Sequence, residues 1–509
     1  MNARAWVRRL CALLWPFAAT AALGASLMPE SPWICRESGW DPARGLMPSE
    51  IHDYVESLGA APFDTRTACA YWAGLYSQRR AGIEVKNVPL ARLILFPAPG
   101  HDVRQLSAFL AGSDAVRDLE RRLSYVIVTF DRGLSGEQLL TLLESEPVGY
   151  GEPDCNGPDF FTTSNDSLNT GLRRDCWLRA ARTVFPNDPC IDDLWGHELI
   201  GWNPRVAAGS LPRLVAVLDS GIDASHEDLK RNIVTRVIPG RRTESGRLNA
   251  RCATSGRCYS HGTEMAGTIG GRMDNGIGVA GVAPNSRLLP IVISSMDTRA
   301  LARLSTIAQG IDAAAHQGVD VINISAKWPV DSRAIAESIV NAVGGEHARQ
   351  RLVVTGYTTT LRGDDTVREY YPSRYRCLPG VLAAVPVDMR GRNLSHLKGR
   401  PNAADGRIQA PGVDIVVTTT ENSERGYALS EAAGSSTAAA YVSGAVALVW
   451  GSPPLNKCDA QQIKELLFCR SKSSDSTRYP WINVDFLREL ANVDTGSDCG
   501  SVMEALGCN

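Results

Sequence analysis

The sequence predicts an α/β fold with a doubly wound, mostly parallel sheet, preceded by a small α+β module. Between about residues 190 and 450, apolar runs of strand length alternate with helical stretches, as in parallel sheets covered on both faces. Upstream of this region, shorter strand and helix signals occupy residues 89–154. A chain of 509 residues is long enough for several such units.

Five apolar runs predict the strands of the large sheet. They cover residues 214–218, 288–293, 319–324, 352–355 and 381–387. The intervening stretches 301–316 and 332–343 have helical periodicity. Because catalytic groups in such folds collect at the carboxyl ends of the strands, we expect the functional site at that edge.

The module upstream has its own pattern. Its apolar runs at 92–97, 125–130 and 148–150 predict strands, whereas 104–124 and 135–144 predict helices. The whole chain then divides into six predicted parts. They are a signal peptide (1–25), a cysteine-containing region of unknown role (26–88), the α+β module (89–154), a linker (155–186), the large α/β domain (187–452) and a C-terminal helix with a cysteine-rich tail (453–509).

Composition is that of an ordinary globular protein, with 44% hydrophobic and 21% charged residues. The net charge of −2 argues against a nucleic-acid partner. At the start of the chain, Arg4, Arg8 and Arg9 precede an apolar run that ends in small residues. This pattern predicts an export signal, so we expect a secreted or periplasmic protein without stable membrane insertion. An uncleaved membrane anchor and a buried helix are the alternatives.

Cysteine usage also favours export. Cys11 lies in the signal, and the remaining twelve cysteines form an even set that predicts disulfides. The connectivity cannot be deduced from the sequence. Cys35 and Cys69 could form one disulfide, and we expect another between Cys252 and Cys258. A zinc site at Cys252, Cys258 and His261 is an alternative without an evident fourth ligand.

Three short motifs supply the groups that peptide hydrolysis needs. Asp219 follows an apolar strand directly, His261 opens a helix of small residues, and Ser436 opens an apolar helix. These residue types can act as orienting acid, base and nucleophile. Each alone has an ordinary reading, since such an Asp is often a turn residue and such a Ser often an N-cap. The order Asp, His, Ser on a doubly wound pattern favours catalysis.

At these motifs the chain resembles the subtilisin-like serine proteases. The segments 219–222, 261–263 and 434–436 are similar to the family's aspartate, histidine and serine motifs, and the resemblance extends over residues 187–449. It implies an exported serine endopeptidase that needs no cofactor for catalysis and acts on protein or peptide substrates. The alternatives are a catalytically weak scaffold used for binding or inhibition, and an acyl-transfer enzyme such as a transpeptidase or cyclase.

Residues 125–128 through 148–154 resemble the inhibitory propeptide of the same family. This resemblance implies that the chain is made as a zymogen whose own propeptide-like module is a partner of the catalytic domain. An unrelated α+β appendage is the alternative. Physically, such a module could inhibit by pairing a strand with the substrate cleft.

The chain departs from the family pattern at two places near the expected site. The position of the family's oxyanion asparagine falls at or near Thr358. In the substrate-binding segment, here Ser325, Ala326 and Lys327, the two family glycines are replaced by Lys327 and Trp328. We expect a narrower groove there, or a shifted loop whose backbone still pairs. The resemblance also implies a structural calcium ion at Asp228 and Asn275, against the alternative of a loop closed by hydrogen bonds.

Overall fold

A computed structural model gives the structure of the chain. It describes residues 49–65, 67–69, 91–131, 134–155, 176–234, 260–293, 303–328, 330–344, 351–361, 367–395, 406–420, 426–430, 434–471, 481–494 and 496–508. The predicted signal peptide lies outside these residues, as do Cys35, Cys252 and Cys258. No helix in the described part of the chain is long and apolar enough to cross a membrane.

The upstream module is a four-stranded antiparallel sheet with helices on it, in the strand order β2-β3-β1-β4. Its elements are α1 (Ser49–Leu58), β1 (Ala91–Pro97), α2 (Val103–Ala111), β2 (Val116–Arg121), β3 (Val126–Phe130), α3 (Gly136–Leu143) and β4 (Val148–Pro153). Capping boxes at Asp102 and Ser135 start α2 and α3 by satisfying the first backbone N–H groups. The α+β architecture predicted for this region is therefore present.

The predicted helix 104–124 is wrong in its second half. Helix α2 ends at Ala111, and Val116–Arg121 pairs with β3 as the outer strand β2. The segment has an apolar residue at every third position, which also fits a helix. Pairing with the buried strand β3 decides the outcome, because tertiary contacts routinely override such a weak local preference.

The described part of the chain before residue 89, which includes α1, is packed onto the four-stranded sheet and its helices. Helix α1 lies so close to α3 that a Cβ at Gly136 would stand 2.5 Å from the carbonyl oxygen of Val55, which only glycine avoids. Cys69 forms a disulfide with Cys155, directly after β4. The suggested pairing of Cys35 with Cys69 is therefore wrong. A sequence separation of 86 residues hid the true partner, because only the fold brings the two together.

The large domain has the predicted parallel sheet, in the strand order β12-β11-β8-β7-β5-β6. Its elements are α4 (Trp195–Leu199), α5 (Pro204–Gly209), β5 (Leu214–Asp219), α6 (His261–Gly270), β6 (Arg287–Val292), α7 (Leu304–His316), β7 (Val321–Ile324), α8 (Arg333–Gly344), β8 (Leu352–Gly356), β9 (Thr359–Leu361), β10 (Val367–Glu369), β11 (Val381–Val387), β12 (Arg407–Pro411), β13 (Ile415–Thr418), β14 (Tyr427–Ser430), α9 (Ser435–Gly451), α10 (Ala460–Cys469) and α11 (Cys499–Ala505). Strand pairs β9–β10 and β13–β14 are antiparallel.

Helices cover both faces of this sheet. Helices α6 and α9 share one apolar core with it, and α7 and α8 share the other, which continues into the module. Such a layered, doubly wound sheet confirms the predicted fold class. The C-terminal tail packs on the α9 side, where the disulfides Cys458–Cys499 and Cys469–Cys508 hold it.

Candidate active site

Asp219 and His261 meet at the carboxyl edge of the sheet. Asp219 is the last residue of β5 and His261 the first of α6. The Nδ1 atom of His261 lies 2.9 Å from both carboxylate oxygens of Asp219, which is fully buried. The helix can approach this closely because a Cβ at Gly262 would lie only 2.2 Å from the carbonyl oxygen of Gly221. The contact orients the imidazole and fixes its tautomer, with the proton on Nδ1.

Neighbouring groups hold the carboxylate and tune the imidazole. The backbone N–H of Ser220 donates to Asp219 at 2.7 Å, and the Ser220 hydroxyl accepts from the N–H of Gly262. Burial lowers the pKa of His261, but the Asp219 carboxylate and the nearby Glu264 outweigh it and raise that pKa above its ordinary value. Sequence reasoning missed Ser220 and Glu264, although each lies within three residues of a predicted catalytic residue.

Ser436 lies in the first turn of α9, beside the end of β7. Its hydroxyl donates to the backbone carbonyl of Ser325 at 3.0 Å, and the Ser325 hydroxyl donates to the carbonyl of Ser436 at 3.1 Å. The side-chain amide of Asn323 donates to the Ser325 hydroxyl at 2.9 Å and fixes it. The N-terminus of this 17-residue helix favours negative charge at Ser436.

The oxyanion candidate Thr358 contacts Ser435, the neighbour of the predicted nucleophile Ser436. Its hydroxyl is hydrogen-bonded to the hydroxyl of Ser435 at 2.7 Å. Strand β8 approaches the start of α9 so closely that a Cβ at Gly356 would lie 2.7 Å from the Ser435 carbonyl oxygen. Thr358 is therefore within reach of the residues around Ser436, with its hydroxyl already engaged by a neighbouring hydroxyl.

The predicted calcium residues Asp228 and Asn275 are brought together, but in a hydrogen-bonded arrangement. The Asn275 side-chain N–H donates to one Asp228 oxygen at 2.7 Å. The other oxygen accepts from the Val279 N–H at 3.0 Å and from the Tyr427 hydroxyl at 2.9 Å, while the Asn275 oxygen accepts from the N–H of Ile277. Every side-chain oxygen of the pair thus accepts a hydrogen bond, which is the arrangement expected of the predicted alternative, a loop closed by hydrogen bonds.

Comparison with known proteins supplies the family. The sequence profile described as the subtilase family matches residues 213–478, just over half of the chain. The chain belongs to the subtilase family. It is 35% identical over 261 residues to the major intracellular serine protease of Bacillus subtilis. The aligned region covers 50% of this chain and 71% of that protein. It is 31% identical over 255 residues to subtilisin DY of Bacillus licheniformis. That alignment covers 50% of this chain and 81% of the relative.

A third relative links the sequence to a solved structure. Fervidolysin of Fervidobacterium pennivorans is 32% identical over 245 residues, covering 46% of this chain and 32% of fervidolysin. Its crystal structure superposes with a TM-score of 0.58 at 21% identity and covers 80% of this chain and 62% of that one, which supports the fold. As a subtilase, this chain is a serine-type endopeptidase that acts on peptide substrates and needs no cofactor for the chemistry.

Proposed function

We propose that the chain hydrolyses peptide bonds with Ser436 as nucleophile, His261 as general base and Asp219 as the orienting acid. The observation that carries this proposal is the contact of His261 Nδ1 with both oxygens of the buried Asp219 at 2.9 Å. It leaves the lone pair of Nε2 to accept the proton of a serine hydroxyl. Family membership supports the reaction class, and the position of Ser436 at the start of α9 supports the choice of serine.

The proposed reaction forms an acyl-enzyme on Ser436 and then hydrolyses it. Ser436 Oγ attacks the scissile carbonyl carbon while its proton passes to His261 Nε2. The imidazolium, stabilised by Asp219, then gives that proton to the leaving amine, so the peptide bond breaks and an acyl-enzyme remains. His261 then takes a proton from water, which attacks the acyl carbon; the bond to Ser436 Oγ breaks, and the imidazolium returns the proton to that oxygen as the acid product leaves. The negative oxygen of each tetrahedral intermediate is stabilised by the N-terminus of α9 and, in this proposal, by the Thr358 hydroxyl.

Peptide hydrolysis by three single variants tests this proposal. Ser436→Ala and His261→Ala should each remove nearly all turnover, and Asp219→Asn should lower kcat by about 10⁴-fold, because an Asn holds the wrong tautomer. Melting curves should match wild type closely enough to show folded protein. If Asp219→Asn hydrolyses peptides at the wild-type rate, the proposed roles are wrong.

We also propose that the chain is made as a zymogen with the module as its inhibitor. Support comes first from Glu152, at the end of β4. Its carboxylate accepts from the Ser332 hydroxyl and the Arg333 N–H, both at 2.8 Å, and from the Ala334 N–H at 3.3 Å. A carboxyl group from the module thus caps helix α8. Burial raises its pKa to about 8, and the hydrogen bonds from the start of the helix partly offset that burial.

Asp154 makes the matching contact with helix α7. It accepts from the N–H of Ser305 at 3.1 Å and from the Ser305 hydroxyl at 2.8 Å. The buried guanidinium of Arg92 on β1 donates to the same carboxylate at 2.7 Å and offsets its burial. Two acids that are two residues apart in the sequence therefore dock the module on two neighbouring helices of the catalytic domain.

The disulfides narrow the place where this zymogen could be opened. Cys69–Cys155 lies wholly before residue 156, and Cys176–Cys190 wholly after residue 175. Among the described disulfides, none joins the two sides of a cut made within 156–175, so none of these bonds would tether the module after such a cut. A cut between Cys176 and Cys190 would leave a covalent tether. We therefore propose processing within residues 156–175.

We also propose that the protein is exported. The four disulfides between described residues support folding in an oxidising compartment, as the predicted signal at 1–25 would give.

We propose that the Asp228 loop closes by hydrogen bonds without calcium. Treatment with a chelator should leave the Tm unchanged, and a rise in Tm on adding calcium would contradict this.

A further inference from the structure

The segment that carries Thr358 is short and is held from two sides. It consists of Tyr357 and Thr358 and joins β8 to β9. The backbone N–H of Tyr357 donates to the carbonyl of Ala384 on β11 at 2.7 Å. The carbonyl of Thr358 accepts from the backbone N–H of Tyr370, directly after β10, at 3.1 Å. The place of Thr358 therefore depends on the strand pair β9–β10 as well as on the main sheet.

Glu369 contacts both sequence neighbours of Thr358. It is the last residue of β10 and lies opposite Thr359 in the strand pair. Its carboxylate accepts a hydrogen bond from the Tyr357 hydroxyl at 2.6 Å. Tyr357 is buried, so removing this acceptor would take a partner from a hydroxyl that water does not reach. Glu369 thus ties the two ends of the Thr358 segment to each other.

Two arginines fix the positions of Tyr357 and Glu369. Arg376 donates to both carboxylate oxygens of Glu369, at 2.6 Å and 3.3 Å. Arg407, at the start of β12, donates to the Tyr357 hydroxyl oxygen at 3.3 Å. Both guanidiniums also lie near the Tyr357 ring, at 5.4 Å for Arg407 and 5.7 Å for Arg376 from its centroid. Hydrogen bonds with charged partners are strong where water is scarce, so this network holds one arrangement.

We propose that Glu369 is a positioning residue for the oxyanion hole, which acts through Tyr357 and the strand pair to hold the Thr358 hydroxyl in place. A donor stabilises the negative oxygen only when it lies about 2.7–3.1 Å from it, so a small displacement of the segment weakens catalysis. Glu369 would not touch the substrate. This inference rests on the proposed role of Thr358.

A double-variant cycle with Thr358→Val tests the inference through peptide hydrolysis by the whole protein. Fluorophosphonate titration counts the active sites, so partial folding or incomplete processing does not lower the measured kcat. Glu369→Ala alone should lower kcat by about tenfold with KM nearly unchanged, because an interaction made only with the intermediate is weakened. In the Thr358→Val background, Glu369→Ala should lower kcat by less than about twofold, because the hydroxyl that it positions is already gone.

Conservative variants separate positioning from a general loss of stability. Glu369→Gln keeps an oxygen that can accept from Tyr357, so it should retain more of the wild-type kcat than Glu369→Ala. Tyr357→Phe removes a single oxygen and should lower kcat in the wild-type background but not in the Thr358→Val background. Glu489→Ala is the matched control, because it removes a glutamate paired with Arg470 in the C-terminal tail and should keep the wild-type kcat.

The cycle separates the two ways of failing. If Thr358→Val turns over like wild type, the proposed oxyanion role fails and this inference falls with it. If Thr358→Val lowers kcat but Glu369→Ala lowers it by the same factor in both backgrounds, Glu369 acts independently of Thr358 and the inference alone is overturned. A wild-type kcat in Glu369→Ala would also overturn it.

Discussion

The hydroxyl of Ser436 donates its hydrogen bond to the carbonyl oxygen of Ser325. A hydroxyl has one proton, so it cannot donate to His261 in the same state. Attack on a substrate therefore requires this O–H to turn from the Ser325 carbonyl toward the imidazole. The hydrogen bond given up is a neutral one, with a net strength of about 1 kcal/mol, so this resting state costs little in rate.

The oxyanion hole is the part of the site that differs most from the family pattern. Thr358→Val should lower kcat by about tenfold or more, because one donor to the intermediate is lost. Thr358→Asn should raise kcat, because an amide reaches further than a hydroxyl.

Thr355→Val on the same strand is the control. Its buried hydroxyl has no hydrogen-bond partner among the described residues, so its removal should leave kcat unchanged. If both Thr358 variants turn over like wild type, another group stabilises the oxyanion.

The pH dependence should report His261. Only the neutral imidazole can accept the Ser436 proton, so kcat/KM should rise with pH as His261 loses its proton, at a pKa above the ordinary value. Glu264 is one of the anions that raise this pKa. Glu264→Gln should therefore shift the acid limb of the profile to lower pH. Glu465→Gln, on the distant helix α10, is the control and should leave the acid limb in place. If Glu264→Gln also leaves the acid limb unchanged, this carboxylate does not act on the imidazole.

The disulfide Cys69–Cys155 should slow release of the module. It ties the N-terminal segment to Cys155, whose carbonyl accepts from the N–H of Leu304 at the start of α7. A disulfide of this kind typically contributes about 2–4 kcal/mol. The double variant Cys69→Ser with Cys155→Ser should release the module several-fold faster after processing, as followed by size-exclusion chromatography. Removing the tail disulfide Cys469–Cys508 instead should not change the release rate; equal acceleration by both would point to general destabilisation.

Processing should depend on Ser436. Wild type should yield a new N-terminus within 156–175, and Ser436→Ala should stay full length when purified under the same conditions. N-terminal sequencing locates the cut, and identical processing of Ser436→Ala would mean that another protease does the cutting.

Much of the large domain follows from the sequence alone. The strands β5, β7 and β8 are continuous apolar runs, so their burial on both faces is visible without a structure. Strand β12 was not predicted, because Arg407–Pro411 has few apolar residues and becomes a strand by pairing with β11. Strand β2 was mistaken for helix for the same reason.

Some features of the site could likewise be predicted from the sequence, and others could not. Asp219, His261 and Ser436 stand in local motifs, so each could be chosen by its neighbours in the sequence. The contacts that set their states could not. Ser325 and Ser436 are 111 residues apart, and their hydrogen bonds follow from the packing of β7 against α9. Glu152 lies near the end of β4, and only the fold shows that its carboxylate reaches the start of α8.

The most direct test of the account is fluorophosphonate labelling of the purified protein, followed by peptide mass spectrometry. The probe reacts only with a serine activated by a base, and it needs no knowledge of the substrate. The account predicts one label per chain on Ser436, full loss of labelling in Ser436→Ala, and labelling of Ser436 retained in Ser435→Ala. A label on Ser435, or labelling that survives in Ser436→Ala, would contradict the assignment of the nucleophile.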